Sequence, residues 1–161
     1  NVHGIRTASV RMTNVYGPRQ LVKHNRQGFI GWFIRQAVEG NTIQIYGDGS
    51  QKRDLNFVDD VCDALLIVGA DERANGQIYN LGSSEVVNLK ELAEMLVELA
   101  GQGSYELIPW PEEKKKIDIG DYYSDFSKIK DELGWEPKTR LREGLQKTVA
   151  YYKEHLDKYT A

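Results

Sequence analysis

Apolar residues Phe29, Ile30, Trp32, Phe33, Ala37 and Val38 fall on one broad face at helical spacing, and Gly40 follows as a stop; the pattern predicts a helix over Phe29–Val38. Upstream, Ile5–Met12 alternates weakly and carries β-branched residues, which predicts a strand ending at Thr13-Asn14, before the break at Gly17-Pro18 and a polar loop over Leu21–Gln27. Downstream, Ile43–Tyr46 reads as a short strand, Gly47-Asp48-Gly49-Ser50 as a tight turn and Leu55–Val58 as a returning apolar segment. Asp59-Asp60 are placed to cap a helix over Val61–Gly69, where acidic groups are favoured at the positive amino end. Ile78–Leu81 predicts another strand, and Asn88 with Glu91 predicts a capping box for a helix over Leu89–Ala100 that closes at Gly101. A strand over Tyr105–Pro109, a charged linker over Pro111–Asp121, a short helix over Ser127–Leu133 and a long amphipathic helix over Leu141–Tyr159 complete the chain. The alternation of strands and helices predicts an α/β fold.

Composition narrows the class. At 161 residues the chain suits one domain or one lobe, and 40% hydrophobic with 28% charged residues is globular rather than disordered. The most apolar run, Ala64–Ala70, falls far short of the ~18 residues of a membrane span. A net charge of −3 argues against nucleic-acid and membrane-surface partners. The single Cys62 excludes an internal disulfide and suits a cytoplasmic setting; on its helix face it reads as a small buried hydrophobe. His3, His24 and His155 are too scattered for a zinc cluster, so no metal site is expected. The start, Asn-Val-His-Gly-Ile-Arg, has neither a signal peptide nor a first Met, which is expected of a chain that begins within a longer protein.

The sequence contains no Gly-x-Gly-x-x-Gly fingerprint, no phosphate loop, no nucleophile elbow and no His-Glu-x-x-His helix. Two segments carry positive signals. Asn14-Val-Tyr-Gly-Pro-Arg-Gln20 follows a strand, where α/β sheets bind ligands; Asn14 either holds a polar ligand or bonds its own backbone in an Asx turn. In Ile45-Tyr-Gly-Asp-Gly-Ser-Gln-Lys-Arg-Asp54 the strand offers backbone groups to a base. Arg53 there either clamps a phosphate or pairs on the surface with Asp54 or Asp59. Trp32 and Phe33 read as core, Trp110 and Trp135 as structural.

Four segments in register, Arg11–Gln20, Ile45–Asp54 with Val58-Asp59-Asp60, Tyr79-Asn-Leu-Gly82, and Glu132-Leu-Gly-Trp-Glu-Pro137, resemble the carboxy-terminal part of the extended short-chain dehydrogenase/reductase family. Its members are NAD-dependent nucleotide-sugar epimerases, dehydratases and decarboxylases. The resemblance implies an α/β substrate-binding lobe over residues 1–161. Residues 1–20 then contribute a strand and loop of the Rossmann-type core, and the N-terminal NAD-binding half is missing. It implies substrate contacts at Asn14, Gly28, Phe29, Phe33, Gln44, Ile45, Tyr46, Arg53, Asn80 and Asp118, and places Met12 and Thr13 beside the nicotinamide end of NAD, with NADP left open. The family's Arg-Pro-Gly-Asp linker reads Lys115-Lys-Ile-Asp118 here. Gln27-Gly-Phe-Ile-Gly-Trp-Phe33 resembles the tyvelose epimerase type, which acts on CDP-hexoses. The substrate implied is a CDP-, UDP-, dTDP- or GDP-hexose.

None of the nine tyrosines has a Lys four residues on, so the family's Tyr-x-x-x-Lys pair is absent and the chain carries no catalytic residue of that kind. It is therefore expected to bind nucleotide without performing the reaction alone; a non-catalytic nucleotide-sugar-binding or regulatory module is the alternative. An unpartnered strand Ile5–Met12 would also favour a homo-oligomer.

Overall fold

The computed structural model describes residues 3–24, 26 and 28–160. The amino-terminal dipeptide, part of the Leu21–Gln27 loop, and Gln27 of the tyvelose-type segment lie outside the described residues.

Strands β1 (Ser9–Met12) and β2 (Asn14–Tyr16) follow one another across a bend at Thr13, and the chain there steps from one sheet to the next. β1 pairs in parallel with β5 (Ile78–Leu81), with Arg11 opposite Asn80. β2 pairs in parallel with β4 (Lys52–Phe57), which runs antiparallel to β6 (Val86–Asn88) on its other side. β3 (Thr42–Tyr46) and β7 (Ser104–Ile108) form a third, parallel pair, so their carboxyl ends adjoin; Gly47 N–H closes that end onto Ile108 O at 2.8 Å.

Helix α1 (Phe29–Glu39) buries Ile30, Phe33, Ala37 and Val38 of the predicted face and Ile34 besides, while Phe29 and Trp32 are half-buried. It ends at Gly40, whose φ of 74° lets Asn41 N–H reach back to Gln36 O at 2.9 Å. Helix α3 (Leu89–Ala100) opens with the expected capping box: Glu91 N–H donates to Asn88 Oδ1 at 2.8 Å, and Asn88 N–H to Glu91 Oε2 at 3.0 Å. With α6 (Leu141–His155) these helices cover β2, β3 and β4 around a core that includes Tyr16, Ile34, Ile43, Leu96 and Tyr152. A second cluster joins α2 (Val58–Ala70), α5 (Ser127–Leu133) and β5 around Tyr79, Leu81, Ile129 and Trp135. Trp135 is structural, as expected: its Nε1–H donates to Asp60 O at 3.0 Å.

The structure corrects several expectations. The first strand begins at Ser9 rather than Ile5, because the ladder with four-residue β5 starts there. The apolar segment expected over Leu55–Val58 belongs to the longer β4, which is buried from Arg53 on because strands flank it on both sides. Helix α2 follows directly at Val58, with Phe57 at its N-cap position and no side-chain cap, so Asp59 and Asp60 lie inside its first turn. Asp60 instead accepts the Thr139 N–H at 3.0 Å. Cys62 is exposed, not buried; it lines an open groove between the Gly17–Gln20 segment and α2. The charged linker contains a helical turn, α4 (Glu112–Lys115), and the last long helix stops at His155, with α7 (Asp157–Thr160) as a separate turn. No described helix is long and apolar enough to cross a membrane.

Candidate functional site

At the carboxyl ends of β3 and β7, beside the first turn of α1, lies a cavity of about 380 Å³. Gly28, Phe29, Trp32 and Phe33 form one wall; Gln44, Ile45, Tyr46, Trp110 and Lys114 form the opposite one, with Arg53 and Leu89 completing the lining. Each position follows from local structure. Phe29 and Phe33, one helical turn apart, meet edge to face at 5.3 Å. Tyr46 ends β3, and Trp110, just beyond β7, tilts against it at 5.3 Å and 33°. Gly47, at φ 76°, makes that approach possible, since a Cβ there would run into the Trp110 indole. Lys114 Nζ donates to Tyr46 Oη at 2.7 Å across the mouth.

Of the two cations that line this cavity among the described residues, Arg53 is the buried one and Lys114 the exposed one. Only 9% of Arg53 is exposed, and its Nη1 donates to Lys52 O at 2.7 Å and Gly120 O at 2.5 Å. Among the described residues it makes no ion pair with a carboxylate, so neither the Asp54 nor the Asp59 surface pair is formed. A nearly buried guanidinium facing an aromatic cavity with only carbonyl partners is poised for an anion.

The other sequence-derived positions divide. Asn80 and Thr13 line a smaller hollow of about 280 Å³ with Arg11, Tyr122, Tyr123, Ser124 and Asp125. Thr13 Oγ1 accepts from Asn56 Nδ2 at 2.6 Å, and Met12, on the same side of the bend, is 45% exposed. Asn14 neither faces the aromatic cavity nor makes an Asx turn; its Nδ2 donates to Asp54 O at 3.1 Å, tying β2 to β4. Asp118 and Lys115 are exposed and stand outside the cavity, Asp118 accepting the Gly120 N–H at 3.2 Å. Sequence reasoning missed Lys114 and Leu89 and read Trp32 and Trp110 as core or structural. The usable signal for Trp110 is its place between Pro109 and Pro111 immediately after a strand, which holds a rigid ring at the sheet's carboxyl end. No described cluster of His, Cys, Asp and Glu is arranged to hold a metal ion.

The profile of the NAD dependent epimerase/dehydratase family matches residues 1–82. Over 150 residues the chain is 37% identical to a low-salt glycan biosynthesis protein of Haloferax volcanii, covering 93% of this chain and 46% of that protein. Over 155 residues it is 36% identical to a dTDP-glucose 4,6-dehydratase of Streptomyces griseus, covering 95% and 44%. The crystal structure of UDP-glucose 4-epimerase from Thermotoga maritima, solved with UDP-glucose, superposes with a TM-score of 0.82 at 32% identity, covering 95% of this chain and 48% of that one. The chain thus spans about half the length of the relatives it matches. It belongs to the NAD-dependent epimerase/dehydratase family.

Proposed function

From that membership we propose that the chain is the substrate-binding lobe of an NAD-dependent nucleotide-sugar epimerase or dehydratase, and that its aromatic cavity takes the nucleotide-diphosphate part of the substrate. The observation that carries this reading is Arg53: a nearly buried cation, without a carboxylate partner among the described residues, lining a cavity walled by Phe29, Phe33, Tyr46 and Trp110. Aromatic walls suit a base and the guanidinium suits a diphosphate, the division of labour expected of a mostly apolar site with few polar anchors. Relatives act on dTDP-glucose, and one was solved with UDP-glucose, so a pyrimidine nucleotide sugar is the substrate class favoured here.

In this reading Gly28, Gln44 and Ile45 complete the nucleotide site, while Asn14, Asn80 and Asp118 serve the part of the substrate beyond the cavity. Met12 and Thr13 touch one end of the cofactor. They suit no more than that, since Thr13 Oγ1 is taken by Asn56 and the sequence has no glycine-rich loop for the pyrophosphate. NAD, when bound, supplies hydride acceptance from the sugar; this chain orients the substrate by gripping its remote nucleotide, the use of binding energy that serves the reacting centre. Epimerisation is favoured over dehydration by the resemblance of Gln27–Phe33 to the tyvelose epimerase type, and the chain by itself performs no turnover. The same site would serve a non-catalytic nucleotide-sugar-binding module. A homo-oligomer in the cytoplasm completes the proposal.

Calorimetric titration of the chain with CDP, UDP, dTDP and GDP tests it. Binding of a pyrimidine diphosphate that Arg53→Ala weakens about tenfold or more is the expected result; no binding of any of the four, or binding indifferent to Arg53→Ala, overturns it.

A further inference from the structure

Asp54 is fully buried and adjoins the cavity's arginine in sequence, yet it turns to the other face of β4 and makes no ion pair among the described residues. Its Oδ2 accepts two backbone N–H groups from distant parts of the chain, Ser83 at 3.1 Å and Ser124 at 3.2 Å, while Oδ1 has no partner. A buried carboxylate costs more than an apolar side chain of the same size, so the geometry it imposes needs a use.

The segment it grips, residues 120–124, is zipped along the start of β4. Tyr122 N–H donates to Lys52 O at 2.9 Å, Lys52 N–H to Asp121 Oδ1 at 2.8 Å, and Arg53 forms a parallel bridge with Tyr122. At the near end of this strap, Gly120 O accepts from Arg53 Nη1. One end of the strap is thus pinned by the Asp54 carboxylate and the other carries the carbonyl that orients the guanidinium.

We propose that Asp54 is a positioning residue for the diphosphate site: by holding Ser124 and Ser83 it sets the strap whose Gly120 carbonyl aims Arg53 into the cavity. The inference rests on the diphosphate reading given above. Asp54 touches no ligand; it acts through Arg53.

The test uses the 161-residue chain with UDP and uridine as probes. Asp54→Asn keeps the side chain's size but places an amide where one oxygen stood. It is expected to weaken UDP about tenfold, to leave uridine within about twofold, and to add nothing on an Arg53→Ala background. An equal loss for uridine, or an undiminished tenfold loss on that background, makes Asp54 a general structural residue and overturns the proposal. Should CDP or dTDP bind in place of UDP, it and its nucleoside serve as the probes; should none of CDP, UDP, dTDP and GDP bind, the nucleotide reading falls, and positioning is decided without ligand. Asp54→Asn should then shift the Arg53 Nε–H resonance and speed amide exchange at Tyr122. Asp121→Ala, at an exposed position on the same strap, should do both as well and covers the case in which Asp54→Asn does not fold. An Arg53 resonance unmoved by a folded variant overturns the proposal.

Discussion

A Cβ placed on residue 82 would lie 2.9 Å from Oδ2 of Asp54 and 2.6 Å from the Ser124 carbonyl oxygen. Gly82 thus lets the end of β5, the strap and the buried carboxylate converge. Gly82→Ala forces backbone apart here and is expected to cost roughly 1–3 kcal/mol, the range for overpacking a tight site. Urea unfolding measures it, and a variant as stable as the parent would show that the junction yields freely.

Arg53→Lys separates charge from geometry. Nη1 alone serves both carbonyls, which leaves the other guanidinium nitrogens for the cavity; a single ammonium cannot divide its donors between two such directions. UDP affinity is expected to fall about tenfold despite the retained charge; an unchanged dissociation constant by calorimetry would mean that charge alone suffices.

Trp110→Ala opens one wall of the cavity and leaves Tyr46 without its ring partner. Loss of base stacking should weaken UDP by about 1 kcal/mol or more while leaving pyrophosphate binding untouched. Equal weakening of both probes would place the ring at the phosphates instead.

Alkaline pH is expected to destabilise the fold through Tyr16. Burial foremost, then the negative charges of Asp60, Glu85 and Glu143, pushes this phenol well above its ordinary 10.0, and its hydroxyl donates to Leu141 O at 3.2 Å. Tyr152, buried against the Gln20 carbonyl, is raised in the same direction. The unfolded chain releases these protons first, so stability is retained below about pH 10 and falls as pH rises beyond it. Unfolding free energies at about pH 9 and about pH 11 should differ, and Tyr16→Phe should flatten the slope between them.

Self-association through the edge of β1 is the expected outcome of a further measurement. Among the described residues this strand pairs with β5 alone, and Met12 on β1 and Ile78 on β5 are exposed. Sedimentation at tens of micromolar should show dimers or larger species; monomer alone would remove the homo-oligomer from the proposal.

Much of this was legible in the chain. Helix α1 could be read from its apolar stripe and Gly40, and α3 from Asn88 and Glu91, because caps and periodicity are local and their partners lie within one turn. The aromatic cavity was partly legible: Phe29, Phe33, Tyr46 and Arg53 were named from motif resemblance, and all four line one cavity. Cys62 and the start of α2 were misread because both depend on what packs against the helix. Its first turn is joined to β4 without a loop, and its Cys62 face borders an open groove.

The sequence by itself determined the alternation of elements, the family and the identity of the cavity's main cation. Only the tertiary structure decided that Asn14 ties two strands together, that Lys114 rather than Lys115 borders the cavity, and that Trp110 is a wall of it. It alone joined Asp54 to Ser83 and Ser124, which are 29 and 70 residues away. A hydrogen bond of that span has no local signature: its partners meet only after strands distant in the chain have paired, and the loop-closure cost of bringing them together is met by the whole fold rather than by the residues that touch.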